Sequence, residues 1–218
     1  NKYLLNGIAL NIKLWPTQDA FCLMSDKDGY KIEILQCFLK VRSLAMKPAL
    51  LIGHADVLKK TMASYDYTRS EVRNYNLTAG IFSKQYEDIF QNKIPSKLVV
   101  GLVKGKSYSG KVNTNPMEFI HANVNFLNLT IDSTMVTGAP ISPDYENEEF
   151  VECYDMLFQR RSLDTVDIDR NEFSNGYALY VFDLTSQPRT GNMNLEIKFS
   201  KALSEVCTII LYGQFPAF

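Results

Sequence analysis

With only two histidines, the chain offers acid–base or nucleophilic chemistry few places to start. His54 stands near Asp56 in a segment read as a loop, and His121 opens an apolar run read as a strand. A Ser-His-Asp arrangement needs the imidazole held between a carboxylate and a nucleophile, and nothing in the order of residues favours that over a hydrogen-bonded structural histidine. Gly105-Lys-Ser107-Tyr-Ser109 ends in Ser where a nucleophile elbow has Gly. Gly101-Leu-Val-Lys-Gly105-Lys106-Ser107 follows an apolar strand, as a phosphate loop would. It is one residue short between its glycines, and no helical pattern follows, so a Lys- and Ser-rich hairpin turn is expected there. The densest oxygen-ligand cluster is Asp164, Asp167, Asp169, Asn171 and Glu172. Read as a calcium loop from Asp167, it has Glu172 where the turn needs Gly and Ala178 where the bidentate Glu belongs. Carboxylates pairing with Arg160, Arg161 or Arg170 are the expectation instead. No His/Cys spacing suits zinc. The reading assigns no catalytic, cofactor-binding or metal-ligating residue, and an enzyme is not expected.

The elements that would position any site are mostly strands. Met193, Leu195, Ile197 and Phe199 alternate with Asn194, Glu196 and Lys198, the pattern of a half-buried antiparallel strand. Leu98–Val103, Asn123–Ile131, Tyr177–Leu184 and Val206–Tyr212 are apolar runs of strand length. Leu10, Ile12 and Leu14 alternate as well, and Ile32–Val41 is nearly all apolar with a phase change near Ile34-Leu35, as in a bulged strand or one buried on both faces. Helical spacing appears at Phe150, Cys153, Tyr154, Leu157 and Phe158, with a single further turn expected at Tyr86, Ile89 and Phe90. Turn-rich stretches intervene at Gly105–Gly110, Asn113–Pro116, Gly138–Pro143 and Gln187–Gly191. The fold class expected is all-β, an antiparallel jelly-roll β-sandwich with one or two short inserted helices.

At 218 residues, 46% hydrophobic and 22% charged, the composition is that of a folded domain, and it excludes a disordered tail, a coiled coil or a collagenous rod. A net charge of −1 argues against an obligate nucleic-acid module. The charge is unevenly placed: residues 1–110 carry 16 Lys+Arg against 9 Asp+Glu, and residues 111–218 carry 7 against 15. Such a dipolar chain can steer lateral or head-to-tail association, or the unevenness can average out on folding. Cys22, Cys37, Cys153 and Cys207 lack CxxC spacing, and Cys37 and Cys207 sit in apolar runs that suit buried free thiols. Intracellular folding is therefore expected, and the sequons at Asn76 and Asn128 read as accidental. No apolar run approaches the roughly 20 residues that span a bilayer. No signal peptide opens the chain, and Asn1 is not an initiator Met, so a piece of something longer is expected.

Several stretches, in this order and spacing, carry a resemblance. They are Tyr3–Leu14, Asp19–Ser25, Tyr30–Leu35, Ile94–Val103, Asn115-Pro116 with Phe119–His121, Asp167–Phe173, Gly176–Leu184, and Gly191–Phe199 running on to Phe215. Over almost its whole length the chain resembles the C-terminal half of the double jelly-roll, hexon-like major capsid protein of polinton/maverick transposons and adintoviruses. The resemblance implies a longer subunit with a pair of upright jelly rolls. Residues 1–25 would be the closing strand and linker of the first, and residues 26–218 the second. It implies homotrimers forming pseudo-hexagonal capsomers, an icosahedral shell enclosing double-stranded DNA, penton or minor capsid proteins as further partners, and a place in the virion after assembly inside the host cell. No catalytic residue or cofactor carries over. The acidic–basic tail usual after the Phe215 region is absent.

A shell subunit needs loops for lateral contacts, and Gly53–Thr68, Ser107–Met117 and Gly138–Asn147 are placed to supply them. Tyr65, Tyr67 and Arg69 are the interface candidates, the residue types that anchor interfaces; an ordinary surface loop is the alternative. A lectin-like glycan- or peptide-binding β-sandwich is the second reading of the whole chain, and a domesticated, non-assembling host derivative the third.

Overall fold

Alternation decides which strands make the core. In the computed structural model, which describes residues 3–27, 29–158 and 167–217, Met193, Leu195, Ile197 and Phe199 are all buried, while Asn194, Glu196 and Lys198 between them are only half-buried. This strand, β7 (Met193–Phe199), is one of eight among the described residues. The others are β1 (Tyr67–Leu77), β2 (Ser83–Tyr86), β3 (Lys97–Lys104), β4 (Val124–Ile131), β5 (Thr134–Met135), β6 (Leu179–Asp183) and β8 (Cys207–Ala217). One sheet has the order β1-β8-β3-β6 and the other β2-β7-β4-β5, with every pairing antiparallel. Eight strands returning in this interleaved order form a jelly roll. Leu98, Val100 and Leu102 of β3 and Ile209 and Leu211 of β8 join Leu127 and Leu129 of β4 and the inward face of β7 in one apolar cluster.

Strand direction sorts the connections into two groups. Tyr67 pairs with Ala217, and Lys97 with both Gln214 and Asp183. The starts of β1 and β3 and the ends of β6 and β8 therefore share one end of the sandwich, with the β2–β3, β4–β5 and β6–β7 turns. The long β3–β4 and β5–β6 connections lie at the other end, beside the β7–β8 turn. Short helices occupy these long connections: α3 (Gly105–Tyr108), α4 (Val151–Asp155) with a 3₁₀ turn at Met156–Phe158, and α5 (Arg170–Ser174). Two further helices, α1 (Asp19–Cys22) and α2 (Pro48–Leu58), precede β1 and bury none of their residues.

The expected strands at 98–103, 123–131, 177–184, 193–199 and 206–212 all form, within a residue or two at most ends, and β8 runs five residues further. Five expectations are corrected. Leu10–Leu14 and Ile32–Val41 are not strands, because no neighbouring strand lies beside them to complete a ladder. Tyr86 closes β2, and Ile89–Phe90 lie in a turn whose Asp88, Gln91 and Asn92 have φ of 45°, 55° and 60°, outside any right-handed helix. The hairpin turn expected after Gly105 is instead the helical turn α3, seated by Gly105 N–H donating to the Val206 carbonyl at 2.8 Å. Cys37 is exposed, since its apolar run stays outside the core, whereas Cys153 and Cys207 are buried free thiols. Burial and the nearby Glu152 push the Cys153 thiol up to about 12, so it stays protonated and unreactive.

Candidate functional site

The acidic cluster resolves into a helix cap. Asp169 Oδ1 accepts from Glu172 N–H at 2.8 Å, and Glu172 Oε2 accepts from Asp169 N–H at 3.0 Å, a reciprocal capping box that starts α5. Arg170 donates to the Glu148 carbonyl at 2.7 Å and lies 5.2 Å over the Phe150 ring, so its cation serves packing rather than a carboxylate pair. Asp164, Arg160 and Arg161 lie outside the described residues. Among the described residues no group of three or more His, Cys, Asp and Glu side chains is placed to hold a metal ion.

The glycines whose spacing falls short of a phosphate loop have a steric role. A Cβ on Gly101 would lie 2.6 Å from Phe119 Cδ1 and 2.9 Å from Leu179 Cδ2, so glycine is what lets Phe119 cover the sheet there. His54 sits on exposed α2, where Asp56 pairs with Lys59 at 2.9 Å instead. His121 begins a tight turn through Ala122 and Asn123, both at positive φ, and its Nδ1 accepts from Asn123 N–H at 3.1 Å. The imidazole stacks on Tyr145 at 4.2 Å between centroids, Tyr145 on Phe150 at 5.1 Å, and Phe150 on Phe173 at 5.8 Å. Desolvation holds the His121 pKa below its ordinary value. Tyr145 and Tyr180 share a hydroxyl–hydroxyl hydrogen bond of 2.9 Å, and burial raises both phenols. This column ties the β3–β4 loop to the β5–β6 excursion. Its histidine is a neutral packing element.

The interface candidates fall in different settings. The Tyr65 hydroxyl accepts from Leu5 N–H at 3.0 Å and donates to the Tyr3 carbonyl at 3.2 Å, so it is spent on the segment before β1. Tyr67 is exposed at the start of β1. Arg69 pairs with Glu71 at 2.7 Å and lies 5.5 Å over the Phe215 ring. Tyr67 and Arg69 line a recess of about 260 Å³ with Lys93, Arg189, Phe215 and Pro216. Three cations around an aromatic floor can receive a carboxylate or phosphate. Lys93 and Arg189 escaped the sequence reading because they come from separate turns, which only the strand directions bring to the same end. The opposite end carries the acid-rich β5–β6 excursion, with Glu146, Glu148, Glu149 and Glu152. The two sequons are in strands: Asn76 accepts from the Thr208 hydroxyl at 3.2 Å, and Asn128 is buried.

No family model matches the sequence. An uncharacterized protein of Caenorhabditis elegans is 25% identical over 202 residues, an alignment covering 88% of this chain and 48% of the relative. The chain thus spans about half the length of that curated relative. Among solved structures, the major capsid protein P2 of bacteriophage PM2 aligns at a TM-score of 0.34 with 12% identity, over 70% of this chain and 46% of that one.

Proposed function

We propose that the protein is a structural capsid subunit, not an enzyme: a jelly-roll part of a double jelly-roll major capsid protein of the polinton and adintovirus kind. In this reading three copies form a pseudo-hexagonal capsomer, and capsomers tile an icosahedral shell around double-stranded DNA, with penton or minor capsid proteins as further partners. The observation that carries the reading is the strand order β1-β8-β3-β6 facing β2-β7-β4-β5, joined to a sequence resemblance that runs the length of the chain. Jelly rolls also occur in lectins and cupins. A calcium-dependent lectin would look to the Asp164–Glu172 cluster; of its described members, Asp169 and Glu172 are committed to each other's backbone amides, which supports the capsid reading.

Electron microscopy of the expressed full-length protein tests it. Hexagonal capsomers or closed shells are the expected result. A stable monomer under assembly conditions, together with calorimetric binding of glycans or calcium, would favour the lectin and overturn the capsid. An interface well above the standard buried area of about 1,600 Å² is expected within each trimer.

A further inference from the structure

The four outer strands of the two sheets differ in what they leave open. β2 has four residues and β5 two, too short to template another strand, and β6 packs against the 3₁₀ turn at Met156–Phe158. β1 is eleven residues long, with β8 along one side and, among the described residues, no strand along the other. Every second residue of β1 therefore points its N–H and C=O away from the ladder, which is a template for a further strand. Its even-numbered side chains from Thr68 to Asn76 are all exposed, Val72 at the centre to 59%. The odd-numbered ones include the charge row, in which Glu71 lies 2.7 Å from Arg69 and 3.5 Å from Arg73.

The order of these residues is self-complementary. The strand runs from Tyr67 to Leu77, so Val72 is its midpoint. A two-fold axis normal to the sheet at Val72 lays β1 of a second copy antiparallel along the open edge, over the full length of the strand. Glu71 of each copy then faces Arg73 of the other, Arg69 faces Tyr75, Ser70 faces Asn74, and the two Val72 side chains meet on the axis. Opposite charges, a cation opposite an aromatic ring and matched small polar groups are cross-strand neighbours that stabilise a ladder. The neighbouring registers that also keep the charge row on one face fail. An axis at Glu71 sets Glu71 against Glu71 and Arg69 against Arg73, and an axis at Arg73 sets Arg73 against itself. A row of mixed charge thus rejects unmatched edges and admits this one.

We propose that β1 is a homodimerisation edge, where two copies pair β1 with β1 about a two-fold axis at Val72 and join their four-stranded sheets into one sheet of eight. The charge complementarity of the strand with itself selects a second copy as the occupant. Such a contact closes on itself, as an isologous interface does, and leaves neither β1 edge open. This two-fold contact lies outside the three-fold capsomer of the capsid reading and does not depend on it.

Sedimentation equilibrium of the whole 218-residue chain, with two charge reversals, is the test. Glu71→Arg sets Arg against Arg73, and Arg73→Glu sets Glu against Glu71. Each variant alone is expected to dimerise at least roughly tenfold more weakly than the parent. Mixed together, the two restore both opposite-charge pairs, and a heterodimer of about parental affinity is expected. A folding defect cannot produce that recovery. Val72→Lys leaves the ion row intact and brings like charges together on the axis, so it is expected to weaken the dimer by a similar factor. A parent that stays monomeric, or a dimer indifferent to all three substitutions, would overturn the proposal. So would single variants that weaken without recovering on mixing, because the charges would then serve the fold and not this pairing. A trimer insensitive to these charges would also overturn it while leaving the capsid reading standing. A charge-dependent dimer that recovers on mixing yet builds no shell would establish the pairing and count against the capsid.

Discussion

Gly101 carries the most exposed test of packing at a single residue. Gly101→Ala pushes a methyl group into Phe119 and Leu179, and overpacking of this kind costs about 1–3 kcal/mol. The expected result is a lower urea midpoint at unchanged slope, partly restored by Phe119→Leu. His121 gives a pH dependence with a definite sign. Its folded pKa lies below the unfolded value of about 6.5, so between the two the unfolded chain binds more protons. Its contribution is therefore intact above pH of about 6.5 and is lost as pH falls toward the folded value. Protonation also removes the acceptor that Nδ1 offers to Asn123 N–H. Urea titrations from about pH 7.5 downward should show this loss in the parent and a shallower slope in His121→Gln; equal slopes would remove the histidine from the account. At this scale the sequence was legible where a motif failed on spacing, as at Gly101–Ser107. The purpose of Gly101 was not, because Phe119 reaches it only across the folded sheet.

Among elements, β7 and β1 mark the limits of what a pattern reveals. β7 was readable to the residue because one face is buried and the other wet, so hydrophobicity reports geometry directly. β1 was missed: Tyr67-Thr-Arg-Ser-Glu-Val-Arg-Asn-Tyr-Asn-Leu77 is an edge strand, mostly exposed at its start and largely polar. Its order comes from an eleven-residue ladder to β8 and from the Arg69–Glu71–Arg73 ion row, and such charges also discourage unwanted edge pairing. Helix α2 escaped notice because it has no buried stripe to give it a period. The reverse error, strands assigned at 10–14 and 32–41, arose because alternation encodes a strand but not the location of its partner. A matched pair of substitutions separates the two situations. Leu195→Ala in β7 is expected to cost about 2–5 kcal/mol, while Leu10→Ala, an exposed site in this chain, stays within about 0.5 kcal/mol. Chemical denaturation of both variants decides it, and a large effect at Leu10 would mean the segment already packs.

For the whole molecule, the topology gathers charges from distant parts of the sequence at the two ends of the sandwich. The recess of Arg69, Lys93 and Arg189 lies at one end of the sandwich, and the acid-rich β5–β6 excursion is at the other. Contacts between subunits that use these ends should weaken as salt rises from about 0.1 to 1 M, where the screening length falls from about 10 to 3 Å. Light scattering of associating subunits measures this. Lys93→Glu with Arg189→Glu should reduce association while leaving thermal stability nearly unchanged, and salt-independent association would detach these charges from assembly. The jelly-roll class was legible from strands and turns alone; the division of labour between the two ends required the topology. The same topology isolates the sole tryptophan. Trp15, 80% exposed, stands in the segment before β1, whereas the sandwich carries tyrosines and phenylalanines only. Indole emission therefore watches that segment, while most of the tyrosines report on the jelly roll. One indole thus gives the segment before β1 its own optical reporter, with no label added.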